Sequence, residues 1–194
     1  MTREHLLLAV LWMLYGITHS VLASTTVKRR FRQNLGAYYK YYRLTYNLIA
    51  FAGLIAIVLF QFSIDSIPLF RPNTFSDICG GSITLSGALL MSICIKKYFA
   101  GFSGLRSFWE EEAPGQLIIS GVHRFVRHPL YLGTFAFIWG LVLLFPTLSL
   151  LVSNSIITIY TLIGIQLEER KLLAAFGDQY REYQRKVPKI IPKF

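Results

Sequence analysis

Four stretches of this chain contain no Asp, Glu, Lys or Arg: His5–Val27, Leu44–Ile64, Ile78–Ile95 and Pro129–Leu167. A helix needs about 20 apolar residues to cross the hydrocarbon core of a bilayer. Within lipid, its backbone N–H and C=O groups must be paired inside the segment itself. Each of the first three stretches predicts one spanning helix. The fourth is long enough for two, with Pro146 as the break, because proline has no amide hydrogen and cannot continue a helix. Composition agrees: 54% hydrophobic residues, 15% charged residues and a mean hydropathy of +0.47 are too apolar for an ordinary soluble domain. The expected fold is an all-α integral membrane protein of about five transmembrane helices. The first stretch closes on Val21-Leu22-Ala23-Ser24, with small residues of the kind that end a signal peptide. Its apolar run is too long for that and its basic flank lies on the wrong side, so it reads as a retained helix.

The net charge of +10 could mark a nucleic-acid partner, but its distribution points elsewhere. In a five-helix topology, all of the 20 Lys and Arg residues except Arg3 and Arg71 fall on one side. The positive-inside rule then places the N-terminus outside and the C-terminus in the cytoplasm, as in a bacterial inner membrane. The basic side meets anionic membrane lipid, and no nucleic acid is expected. Cys79 and Cys94 have neither a disulfide-framework nor a metal-ligand spacing, so they read as buried, inert thiols, and no metal site is expected.

Within the first span, His19 is a candidate catalytic residue, because an imidazole at membrane depth is a functional hint; a histidine bonded to a neighbouring helix is the simpler alternative. Residues 25–43 read as a basic connector whose tyrosines anchor at the headgroup level. The third span carries Gly80, Gly81, Ser82, Ser86, Gly87 and Ala88, small residues that let helices approach closely in lipid. With no strand before it, this is not a dinucleotide fingerprint. Glu110–Glu112 reads as a solvated charge run. Residues 1–95 form an expected N-terminal three-helix region and residues 96–194 a second region holding the chemistry.

That chemistry is expected at Ser120–Gly133, SGVHRFVRHPLYLG, where a charged loop becomes an apolar helix. Pro129 suits the first helical turn. His128 then lies at the helix start, beside free backbone N–H groups and the positive dipole end. Pro129–Phe145 rises about 25 Å and Leu148–Leu167 returns about 30 Å, which brings Glu168 and Glu169 back to the level of His128. The last helix can continue to Gly177 as a C-cap, with an amphipathic segment (Tyr180, Tyr183, Val187) closed by Pro188.

The blocks GVHRFVRHPLYLG and EERKLLAAFGDQYREYQRKVPKIIP, with the hairpin between them, resemble the isoprenylcysteine carboxyl methyltransferase and phospholipid methyltransferase superfamily. His19-Ser20-Val21-Leu22-Ala23 with Lys28 is similar to its NnrU-like and methanethiol S-methyltransferase branches. The resemblance implies a small helical bundle whose cytoplasmic end encloses S-adenosyl-L-methionine. It implies cofactor contacts at Gly121, Val122, His123, His128, Pro129, Tyr131 and at Glu168 or Glu169, with His128 also a catalytic candidate. Where the family usually has tyrosine, this chain has His123. Ile163 and Gly164 stand where the eukaryotic carboxyl methyltransferases carry an arginine. The acceptor expected is a small or lipophilic thiol, whose proton a histidine could take. The alternatives are methylation of a prenylcysteine carboxylate or a phospholipid amine, a non-catalytic NnrU-like protein, and an NADPH-dependent sterol reductase-like enzyme.

Overall fold

The computed structural model describes residues 2–103 and 117–192. Glu110–Glu112 lie outside the described residues. The helices are α1 (Arg3–Ala23), α2 (Thr25–Leu35), α3 (Tyr39–Ser63), α4 (Thr74–Ser103), α5 (Pro129–Leu144) and α6 (Leu148–Lys186). Among the described residues the one strand-like pairing is an isolated bridge between Pro68 and Thr147. Arg3–Ala23, Leu44–Ser63, Thr74–Lys96 and Leu148–Lys186 are long and apolar enough to cross a membrane. The expected fifth crossing corresponds to α5, whose 16 residues between Pro129 and Phe145 make it the shortest of these apolar helices.

The connector expected over residues 25–43 is helical at its start. The Ser24 hydroxyl accepts from the Val27 N–H at 3.3 Å, which caps α2 and satisfies one of its orphan donors. Ser24, read from the sequence as the close of the first span, also caps the next helix. At the head of α4 the cap is reciprocal: the Asn73 carboxamide accepts from the Ser76 N–H, and the Ser76 hydroxyl accepts from the Asn73 N–H, each at 2.9 Å.

Packing separates the described residues into two compact units. The first holds α1, α2, α3 and the opening turns of α6, Thr147–Ile156; the second holds Phe70–Lys97, residues 117–146 and α6 from Ile157. Polar groups in the first unit are paired, as an apolar surround requires. The Trp12 indole N–H donates to the Ser153 hydroxyl at 2.8 Å, and that hydroxyl donates to Gln61 Oε1 at 2.5 Å. His5, fully buried, bonds Thr2 through Nδ1 at 2.7 Å and Ser66 through Nε2 at 3.2 Å.

In the second unit, α4 and α5 meet along four glycines spaced seven apart on each helix. A Cβ added at Gly87 would lie 2.7 Å from the Gly133 carbonyl oxygen, and one at Gly80 would lie 3.0 Å from that of Gly140. Gly133 and Gly140 face Met91 and Thr84 just as closely. Backbone packs directly on backbone here, the arrangement that small residues permit in lipid. Gly81 faces nothing within 4 Å. Gly87→Ala is therefore expected to lower the stability of purified protein by about 1–3 kcal/mol, read as a lower midpoint in thermal unfolding. Gly81→Ala should leave the midpoint unchanged or slightly raised.

Candidate active site

The site begins with a tight turn. Gly121 takes a left-handed φ of +67°, a conformation that costs other residues a Cβ clash, and opens a 3-10 turn over Gly121–Arg124. The turn delivers Arg127 and His128 to the start of α5, where His128 is the N-cap residue and Pro129 the first helical residue. The backbone N–H of His128 donates to the Lys189 carbonyl at 3.1 Å, and that of Arg127 donates to Pro188 at 2.9 Å. The segment after α6 runs alongside the motif.

That segment reaches the motif because α6 breaks. Gly177 has φ +51° and ψ −125° inside it, a positive-φ conformation that glycine adopts without a Cβ clash and that interrupts the helix. Beyond the break, Tyr180, Tyr183 and Val187 form a buried cluster against Leu117, Leu172, Leu173 and Phe176. The Tyr183 hydroxyl donates to the His123 carbonyl at 2.6 Å, and the His123 ring meets the Arg127 carbonyl through Nδ1 at 3.2 Å.

At the centre lies the Glu169 carboxylate. Its Oε1 accepts from Arg127 Nε at 2.8 Å and Nη2 at 2.6 Å, from His128 Nε2 at 3.2 Å and from the Tyr180 hydroxyl at 3.4 Å. Its Oε2 pairs with Lys189 Nζ at 3.2 Å. The remaining Arg127 nitrogen, Nη1, donates to the Gln184 and Val187 carbonyls, acceptors that a helix end leaves without intrahelical partners. The apolar run of α6 ends at Leu167, so Glu169 lies beyond it. Burial alone would raise the Glu169 carboxyl. The hydrogen bond and charge of Arg127, with His128 and Lys189, outweigh that and hold it below its ordinary 4.5. Burial and the Glu169 charge push the Tyr180 phenol up to about 12, so it stays a donor.

Glu168 differs. Its Oε2 accepts from the Tyr131 hydroxyl at 3.0 Å and lies 3.8 Å from His128 Nδ1. Its side chain is 45% exposed against 11% for Glu169. The Tyr131 ring stands beside the His128 imidazole, centroids 5.7 Å apart. One oxygen of Glu168 thus keeps acceptor capacity towards solvent, next to an aromatic face.

The structure therefore brings His128, Pro129, Tyr131, Glu168 and Glu169 together, with Gly121, Val122 and His123 in the turn that leads to them. His19 belongs to the first unit, where it meets Tyr46. Sequence reading took Arg127 and Lys189 as interfacial charges and missed their pairing with Glu169. The available signal was the return of Glu169 to the level of the motif, which demands a cation for a carboxylate at an apolar boundary.

Against this geometry, a family model described as phospholipid methyltransferase matches residues 77–179, which span the glycine seam, the motif and the glutamates. The chain belongs to that family. It is a membrane methyltransferase. Methanethiol S-methyltransferase of Crocosphaera subtropica is 31% identical over 92% of this chain and 71% of its own length. Methanethiol S-methyltransferase 1 of Bradyrhizobium diazoefficiens is 31% identical over 98% and 68%. Protein-S-isoprenylcysteine O-methyltransferase of Schizosaccharomyces pombe is 38% identical over 39% of this chain and 33% of its own. No solved structure is a significant match.

Two outcomes test the Glu169 cluster of this methyltransferase. Arg127→Ala leaves a buried carboxylate short of its main partner and is expected to cost about 3 kcal/mol of stability. The depressed Glu169 carboxyl makes its contribution fully present above pH 4.5 and lost as pH falls towards the lower folded value. Thermal unfolding followed from neutral to acidic pH should show that loss in the parent protein and a flatter profile in Glu169→Gln.

Proposed function

We propose that this protein transfers a methyl group from S-adenosyl-L-methionine to a small or lipophilic thiol. Identity and extent together favour this acceptor: relatives named for methanethiol are 31% identical over 92% and 98% of this chain, whereas the isoprenylcysteine enzymes match over 39%, or over 77% at 28% identity. Ile163 and Gly164 also supply no cation for a carboxylate acceptor.

The chain's residues fit the donor's polar groups. Glu168, partly exposed, can take an ammonium or ribose hydroxyl through its open oxygen. Tyr131 offers a ring face to a sulfonium, an attraction of about 1–2 kcal/mol when desolvated. Gly121, Val122, His123 and Pro129 border the same place. Glu169, with both oxygens engaged inside the protein, is a positioning residue. Bound S-adenosyl-L-methionine supplies an electrophilic methyl on a sulfonium sulfur. The protein aligns the acceptor with it and keeps water out. His128 has Nε2 held by Glu169, so its neutral tautomer would present Nδ1 to take the thiol proton as the sulfonium S–CH3 bond breaks, a neutral thioether leaves and the acceptor's S–CH3 bond forms.

The basic-residue asymmetry supports five crossings, α5 among them, with the N-terminus outside and the site on the cytoplasmic face of an inner membrane. Residues 96–194 carry the catalytic core in this reading. Reporter fusions at Phe194 and near Asn73 are expected to report opposite sides, with Phe194 cytoplasmic.

Methyl-labelled S-adenosyl-L-methionine supplied with methanethiol, a prenylcysteine analogue and phosphatidylethanolamine tests the acceptor. Label is expected on the thiol, at a rate that rises with pH as thiolate forms. Turnover confined to the carboxylate or the amine would overturn the thiol assignment. Glu168→Gln should weaken donor binding about 10-fold by calorimetry; unchanged affinity removes Glu168 from the donor site.

A further inference from the structure

A cavity of about 370 Å³ lies between α1 and α3, entirely within the first unit. Its walls are apolar, with Leu14, Ile49, Ala56 and Ile57 among them, and among the described residues no carboxylate, ammonium or guanidinium lines it. Such walls suit a neutral ligand, because a buried unpaired charge is costly in an apolar surround. The volume falls in the range of pockets that hold small organic molecules.

Its polar content narrows to one place. The Tyr15 hydroxyl donates to the Ala50 carbonyl at 3.1 Å, and the Thr18 hydroxyl donates to the Leu14 carbonyl at 2.7 Å. What remains is the imidazole of His19, which meets Tyr46. The Tyr46 oxygen lies 2.9 Å from His19 Nδ1 and 3.0 Å from Nε2. The two ring nitrogens point in diverging directions, so a single oxygen cannot lie in line with both. Whichever nitrogen Tyr46 serves, the other keeps a lone pair or an N–H for a third group. In one tautomer the pair presents a donor, and in the other an acceptor. A head group that both donates and accepts satisfies either.

We infer that this cavity binds a neutral lipophilic molecule carrying one protic head, a hydroxyl or a thiol, with the head on His19 and Tyr46 and the chain among the apolar walls. The site stands apart from the donor-site reading, and its readout is binding rather than turnover. The probe is dodecanol bearing a chain diazirine, photolysed with the full chain in phosphatidylcholine nanodiscs, with labelled peptides mapped by mass spectrometry. Saturable labelling is expected within residues 11–22 and 46–57. Dodecanol or dodecanethiol should compete at concentrations about 10-fold lower than dodecane, as one hydrogen bond allows. Competition by the alcohol alone identifies a hydroxyl head, by the thiol alone a sulfhydryl head; either supports the site. His19→Leu and Tyr46→Phe should each bring both competitors down to the dodecane level. Gly53→Leu, where an added Cβ meets only the Tyr15 ring at 3.5 Å and the rest of the side chain fills the cavity, should abolish saturable labelling. Labelling that rises linearly with probe, or equal competition by dodecane, would overturn the proposal on the parent protein alone, whatever the variants do.

Discussion

One buried carboxylate holds the candidate site together. Glu169 accepts from a side chain just before α5 (Arg127), from the N-cap of α5 (His128), from the helix beyond the Gly177 break (Tyr180) and from the segment after it (Lys189). A carboxylate at an apolar boundary is tolerable only when its charge is neutralised and its lone pairs are filled. Satisfying that demand fixes the relative positions of four pieces of chain. Glu168, its sequence neighbour, is left turned outward with Tyr131. The division of labour between the two glutamates follows from burial: the enclosed one builds the site and the open one is free to meet a ligand.

Much of this arrangement was legible before any coordinates. Pro129 and Pro146 bracket α5, Gly177 interrupts α6, and the hairpin between them brings residues 128 and 169 into contact, as counting helical rise anticipated. The family and the methyltransferase class were legible too, in the RHP block and the paired glutamates. What could not be read was partnership. An arginine at the end of a span has the same composition and spacing whether it meets headgroups or, like Arg127, a carboxylate 42 residues away. Lys189 presented the same ambiguity. The helix over Thr25–Leu35 was read as connector because its apolar residues are few; a local cap from Ser24, rather than a buried face, marks its start.

The glycines of α4 show a different limit. Gly80 and Gly87 could be dismissed as a phosphate loop, since no strand precedes them, and their small size was rightly read as close helix packing. The register of that packing was not visible, because Gly133 and Gly140 lie on another helix with the same seven-residue spacing. Spacing within one helix says that a neighbour comes close; only the pair says which residues face each other.

The backbone pairing of Arg127 and His128 with Pro188 and Lys189 also bears on the order of events as the chain is made. The α4–α5 seam has all its residues once Leu144 has been added. The site must wait until Lys189 emerges, about 45 residues later, or roughly 2–9 s at ordinary rates of synthesis. Over the first 25 residues of that interval the motif lacks its carboxylate, and until Lys189 is made it lacks its backbone partners. A nascent chain stalled in this window would carry a finished helical seam and an unformed candidate site.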